Sequence, residues 1–183
     1  MKKFELTTDT KMFFGRKLFR IKALISFGDV TAGDLGGYVE KEENLSHDGN
    51  AWVFDNAKVS GNAKVSGNAW VSGNAEVSGE AKVSGEAKVF GEARVYGEAW
   101  VSGEAEVFGN TDYLCFTGLG SCNRNTTFFK CRDGHIHVSC GCFSGNLEEF
   151  ETKVKETHGD SKYGKEYLAC LEVVKIHFEE EIL

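Results

Sequence analysis

Gly61-Asn-Ala-Lys-Val-Ser66, Gly67-Asn-Ala-Trp-Val-Ser72 and Gly73-Asn-Ala-Glu-Val-Ser78 are three consecutive copies of one six-residue phrase. Ten copies run back to back from Gly49 to Phe108, and midway the pattern changes from Gly-Asn-Ala-x-Val-Ser to Gly-Glu-Ala-x-Val-Ser/Phe/Tyr. Ala recurs from Ala51 to Ala105, and Val two places later from Val53 to Val107. In an extended Ala-x-Val step the first and third side chains share a face and the middle one points away. Small Ala and β-branched Val can then fill a narrow interior while x meets solvent. Gly-Asn and Gly-Glu supply the bend. A short strand and a corner repeated at this period predict a parallel β-helix.

The hexads resemble the left-handed hexapeptide β-helix, in which three hexads make one triangular coil. The resemblance covers residues 49–108, and residues 37–48 read as two degenerate hexads with Val39 and Leu45 at the Ala position. It implies outward columns with rungs about 4.8 Å apart: Trp52, Trp70, Lys88, Glu106; Lys58, Glu76, Arg94; and Lys64, Lys82, Trp100. At the corners Glu80 stacks over Glu98 and Glu86 over Glu104, charges that solvent and salt screen. Trp52 and Trp70 on an outward face, with Trp100 on another, point to an oligomer interface. Such β-helices are generally trimers, so a homotrimer is the expected assembly.

The chain has 183 residues and a net charge of −7, which argues against bulk binding to nucleic acid or an anionic membrane. Met1-Lys2-Lys3 is not followed by an apolar signal-like run, and no segment is apolar enough to span a bilayer. The expected location is the cytoplasm of a host cell. Proline is absent, as suits a repeat that uses its amides continuously. Cys115, Cys122, Cys131, Cys140, Cys142 and Cys170 all follow the repeat and are expected as reduced thiols.

Residues 1–48 are expected to form an N-terminal β cap, because open coil edges invite polymerisation. Phe19, Ile21, Ala23, Ile25 and Phe27 share one strand face there. The stretch Leu18–Glu40, with Asn44-Leu-Ser-His47, resembles a family of phage and prophage hexapeptide-repeat proteins, often labelled putative transferases or polymer-forming proteins. The segment from Thr117-Gly-Leu-Gly-Ser to Cys140-Gly-Cys-Phe-Ser-Gly, with Thr157-His-Gly-Asp160, resembles their common tail. That resemblance implies a viral or prophage context and brings no established activity.

The division is therefore 1–48 for the cap and first degenerate hexads, 49–110 for the β-helix, and 111–183 for a small α+β unit. Asp112–Gly118, Thr126–Cys131 and His135–Cys142 read as strands, the last two joined at Asp133-Gly134. Asn146 caps a helix with Glu149 three residues on, Gly159 closes it, and a last helix covers about Lys162–Phe178. The order is β-β-β-α-α, and the fold class is mainly β.

These residues bear on three chemistries. A hexapeptide acyltransferase needs a His beside an extruded loop; only His47 is available, and its register with Val53 turns it inward. Zinc is disfavoured because the Asp133-Gly134 turn puts Cys131, Cys140 and Cys142 with Phe129, Ile136 and Val138 on an apolar face. No metal or cofactor is expected. The opposite face then carries Lys130, Arg132, His135 and His137. Beside it, the loop Gly118–Arg124 offers Ser121 and Arg124, followed by Asn125, with amides and a guanidinium suited to a phosphate.

The expectation is a non-enzymatic phage accessory protein, a β-helix scaffold displaying C-terminal units that bind a ligand or host factor. Its concrete form is counter-defence, by capture of a nucleotide-like small molecule or occlusion of a host defence protein. A structural or assembly spacer is the alternative, and a hexapeptide-type acyltransferase the third reading.

Overall fold

The computed structural model describes residues 2–178. Its centre is a β-solenoid of two-residue strands, one per hexad. Strands β4 (Trp52–Val53), β7 (Trp70–Val71), β10 (Lys88–Val89) and β13 (Glu106–Val107) stack in parallel as one side. A second side stacks β6 (Lys64–Val65), β9 (Lys82–Val83) and β12 (Trp100–Val101). The third carries β5 (Lys58–Val59), β8 (Glu76–Val77) and β11 (Arg94–Val95). Trp52 pairs with Trp70, Lys58 with Glu76 and Lys64 with Lys82, which is the column arithmetic of three hexads per coil. Amides in and beside the strands donate to the next coil, as in Lys58 N to Ala75 O at 2.9 Å and Ser60 N to Val77 O at 2.9 Å. Every Ala and Val of the hexads is buried.

The corners depend on a left-handed backbone. Gly61, Gly67 and Gly73 all have φ between 66° and 68°. Asp55 takes the same conformation at φ 51°, and its carboxylate accepts from the Gly73 amide of the coil below at 3.1 Å. A polar side chain that bonds locally offsets part of the strain there.

The N-terminal end is closed by a hairpin, β1 (Phe4–Phe13) and β2 (Arg16–Ala23), and by β3 (Leu35–Val39). These extend the third side into a six-stranded sheet ordered β1-β2-β3-β5-β8-β11. Here the expected register of the degenerate hexads is corrected. Val39 pairs with Val59 and Leu45 bridges Val65, so both take the Val position, not the Ala position. The spacing is 20 residues there and 18 from Trp52 onward. The two extra residues fall in the bend around His47. Gly37 occupies the Ala position because a Cβ would lie 2.6 Å from Ala57 O.

Two buried polar side chains finish this edge. Asn44 donates to Gly61 O (3.1 Å) and Ala63 O (2.8 Å) and accepts from Lys41 N (2.9 Å). Lys3 donates to Gly49 O (3.2 Å) and Ala51 O (2.9 Å) beneath the Phe27 ring. Burial lowers the Lys3 pKa to about 8, with Asp48 partly opposing. Both satisfy carbonyls that would otherwise template another strand.

The C-terminal unit is an antiparallel sheet in the order β14 (Tyr113–Leu119), β15 (Arg124–Lys130), β16 (Ile136–Cys140) and β17 (Phe143–Asn146), followed by α1 (Leu147–His158) and α2 (Lys162–Phe178). The fourth strand corrects the expected β-β-β-α-α order. Gly141 (φ 62°) turns the chain so that Cys140 pairs with Phe143. One sheet face lends Tyr113 and Phe129 to the solenoid core; the other packs Phe128, Val138 and Cys140 on Phe150, Tyr167 and Leu171 of the helices. The sheet thus plugs the last coil, with Trp100 N donating to Thr127 Oγ1 at 3.0 Å and Tyr113 Oη to Arg94 O at 2.6 Å. Asn146 and Glu149 form the expected capping box.

Candidate functional site

The turn between β15 and β16 decides which candidate residues meet. Gly134 N donates to Cys131 O, and Cys131 N to His135 O, both at 2.9 Å, with Gly134 at φ 82°. This is a three-residue loop with a left-handed glycine, not the expected two-residue turn. Lys130 therefore pairs with Ile136 and Phe129 with His137. A slip of one residue exchanges the two faces of a strand, so the expected basic face is not formed.

The seven proposed ligand residues separate accordingly. His137 lies beside the Phe129 ring and hydrogen-bonds Ser144 Oγ at 2.9 Å. Arg132 Nε pairs with Glu106 at 3.1 Å, alongside the last coil. Lys130 reaches Asp112 at 3.5 Å, and His135 is exposed beside Asp133. Lys130 and His135 line a cavity of about 660 Å³ with Ile136, Leu147, Glu148 and Lys175. Ser121 is exposed beside Cys122. The amide of Gly120, expected to help cradle a phosphate, already donates to Glu166 of α2 at 3.3 Å. The cysteines divide as well: Cys131 and Cys140 face opposite sides, and Cys142 is exposed. Burial, helped by Asp133 and the coil glutamates, pushes the Cys131 thiol up to about 11. Among the described residues no group of three or more His, Cys, Asp or Glu is placed to hold a metal ion.

Arg124 and Asn125 come together elsewhere. They line a cleft of about 590 Å³ where the Cys122–Asn125 turn leans on the coil side that carries Lys82 and Trp100. Glu80, Glu98, Thr127, Ser139 and Gly141 complete it. Trp100 is 39% exposed, with Lys82 Nζ 5.5 Å from its ring centroid and its indole N–H donating to Ser84 Oγ at 3.2 Å. Arg124 lies against Gly141, where a Cβ would come within 2.5 Å of its Nη1. Asn123 (φ 48°) makes the turn that brings Arg124 there.

The electrostatics of the cleft follow from who holds the carboxylates. Asn62 donates to Glu80 at 2.6 Å, and Asn125 donates to Glu98. One neutral amide bonds each acid without cancelling its charge, so two carboxylates and two cations line the cleft, and among the described residues neither Lys82 nor Arg124 makes an ion pair. The Lys82 ammonium lies over the Trp100 ring, and the Arg124 guanidinium lines the same cleft from the side of Gly141.

The other expectations also change. Trp52 is not an outward interface residue: at 1% exposure it packs against Phe4 and Phe27, 6.2 and 5.4 Å between centroids. Trp70 is half-buried between Phe54 (5.3 Å) and Lys88 (5.6 Å). His47 does not point into the coil in register with Val53. It sits in the extra bend, stacked on Phe4 at 4.4 Å, accepting from Lys3 N at 3.1 Å and bonded to Glu42 at 2.7 Å. That is a cap residue held from both ring nitrogens. Among the described residues no helix is long and apolar enough to cross a membrane. No protein-family model matches this chain, and no curated protein matches it in sequence.

Proposed function

We propose that this chain is a non-catalytic binding protein whose rigid solenoid and C-terminal sheet together hold a small, phosphate-bearing ligand with a planar ring. The observation that supports it is the cleft at their junction. Lys82 and Arg124 line it without an ion pair among the described residues, and Trp100, 39% exposed, lies there beneath Lys82. The hexad chemistry fits a left-handed coil, and the phage-like resemblance gives the reading a concrete form, capture of a nucleotide signal in counter-defence. His47, used at both nitrogens by the cap, supports binding over acyl transfer.

Isothermal titration with a panel of mono- and dinucleotides tests this. Arg124→Ala should weaken binding by about tenfold to a hundredfold, the loss expected for a charge-assisted bidentate contact. Trp100→Ala should do the same through lost stacking, and Lys130→Ala should leave affinity unchanged. Equal effects of Arg124→Ala and Lys130→Ala would overturn the cleft as the site, and no binding by any anion would move the assignment to a structural spacer.

A further inference from the structure

The outward columns of the solenoid differ in how their charges are met. On the side of β5, β8 and β11, Glu76 lies between two cations, 3.4 Å from Lys58 and 3.4 Å from Arg94. On the side of β4, β7, β10 and β13, Lys88 reaches Glu106 at 3.7 Å. The remaining side sets Lys64 directly against Lys82 and Lys82 against Trp100, with no acid in the column. Both lysines are exposed, and like charges facing each other across a strand pair are destabilising. Neither makes an ion pair among the described residues.

Lys41 joins them. Its ammonium donates to Asn62 Oδ1 at 2.7 Å, and it lines a hollow of about 380 Å³ with Asn62, Lys64, Lys82, Glu43 and Glu80. Three ammoniums against two carboxylates leave one positive charge in excess there. The hollow shares Glu80 and Lys82 with the Arg124 cleft, so the two continue into one another along this side of the coil. Rungs lie about 4.8 Å apart, which sets Lys64 about 10 Å from Trp100 along the axis.

We infer that this groove takes a nucleotide with a chain of two or more phosphates, its ring at the Trp100 end and its distal phosphates among Lys82, Lys64 and Lys41. The inference rests on the ligand reading of the cleft and names the ligand class more narrowly. A phosphate between adjacent rungs accepts from both ammoniums and removes their mutual repulsion. Lys82 serves both ends: it now lies over the Trp100 ring, and turning it to the phosphates uncovers that ring for the base. The acids on the rim, Glu43 and Glu80, limit the positive excess, which suits a short phosphate chain and not a long nucleic-acid strand.

Isothermal titration of the full chain with adenosine and guanosine mono-, di- and triphosphates tests it. The triphosphate of at least one nucleoside should bind about tenfold or more tighter than its monophosphate, the gain expected of one added charge-assisted contact, and added salt should shrink the gap. Lys64→Gln, an exposed change that keeps most of the stem, should bring that ratio close to one, and Lys41→Gln should lower it. Lys88→Gln, on another side of the coil and paired with Glu106, should leave the ratio at its wild-type value. Equal affinity for mono- and triphosphate, or a ratio untouched by Lys64→Gln, would overturn the inference. Inorganic tripolyphosphate bound as tightly as the nucleoside triphosphate would overturn the nucleotide class. A wild type that binds monophosphates, loses them in Arg124→Ala and ignores chain length would sink this inference alone. One that binds no nucleotide would sink the ligand reading with it.

Discussion

Gly85 and Gly97 have the same backbone conformation, φ 69° in both, but different surroundings. A Cβ on Gly97 would meet nothing within 4 Å, while one on Gly85 would lie 2.8 Å from Gly103 N on the next coil. Alanine at either site carries the left-handed penalty of about 1–2 kcal/mol, offset by about 0.4–1 kcal/mol from a stiffer unfolded chain. Gly97→Ala should therefore cost about 1 kcal/mol. Gly85→Ala adds a backbone clash that only separation of two coils can relieve, and overpacking of this kind costs about 1–3 kcal/mol more. Guanidinium unfolding followed by circular dichroism measures both, with unchanged slope confirming a change in stability alone. In melting temperature the gap corresponds to about 2–4 °C per kcal/mol for a chain of this size. Equal losses would refute the reasoning, because the stacking distance would then not limit the corner residue.

The solenoid interior should be far less tolerant than its outer columns. Val77→Ala should cost about 2–3 kcal/mol through lost burial and a cavity, and exposed Lys64→Ala less than about 0.5 kcal/mol by the same unfolding assay. Asn44→Ala strands two carbonyls and one amide at a buried coil edge and should cost roughly 3 kcal/mol, read as a lowered thermal midpoint. Lys3 binds its proton less tightly folded, at about 8, than unfolded, at 10.5, so its contribution is flat below pH 8 and rises up to pH 10.5. The stability gap between wild type and Lys3→Met should widen in favour of wild type across that window; a constant gap in paired denaturant titrations would count against a buried, charged Lys3.

The coil was legible because its rule is local. Ala-x-Val sets the inner face and Gly sets the corner, so the columns Lys58-Glu76-Arg94 and Lys64-Lys82-Trp100 could be counted before any coordinates. The first coil was misread by two residues because the bend at His47 is an insertion without repeat chemistry of its own. The hairpin at Cys131–His135 failed for a sharper reason. Asp133-Gly134 suits a two-residue turn, but here it ends a three-residue loop, and the slip moved Lys130 and His137 to opposite faces. Trp52 was placed on the correct side of its strand; its burial comes from the cap folding over it, which no periodicity reveals. The cleft was half visible. Arg124 and Asn125 stood out by composition and Lys82 stacked under Trp100 by counting, yet only the docking of the Asn123 turn brings them together.

The most direct test of the binding account is native mass spectrometry of the full chain purified without added nucleotide, beside Arg124→Ala, each followed by denaturation and analysis of the released fraction. A stoichiometric phosphate-bearing molecule with an aromatic base on the wild type, absent from Arg124→Ala, is the predicted result. A wild type that carries nothing and takes up no nucleotide added in excess would contradict it and leave the solenoid as a spacer.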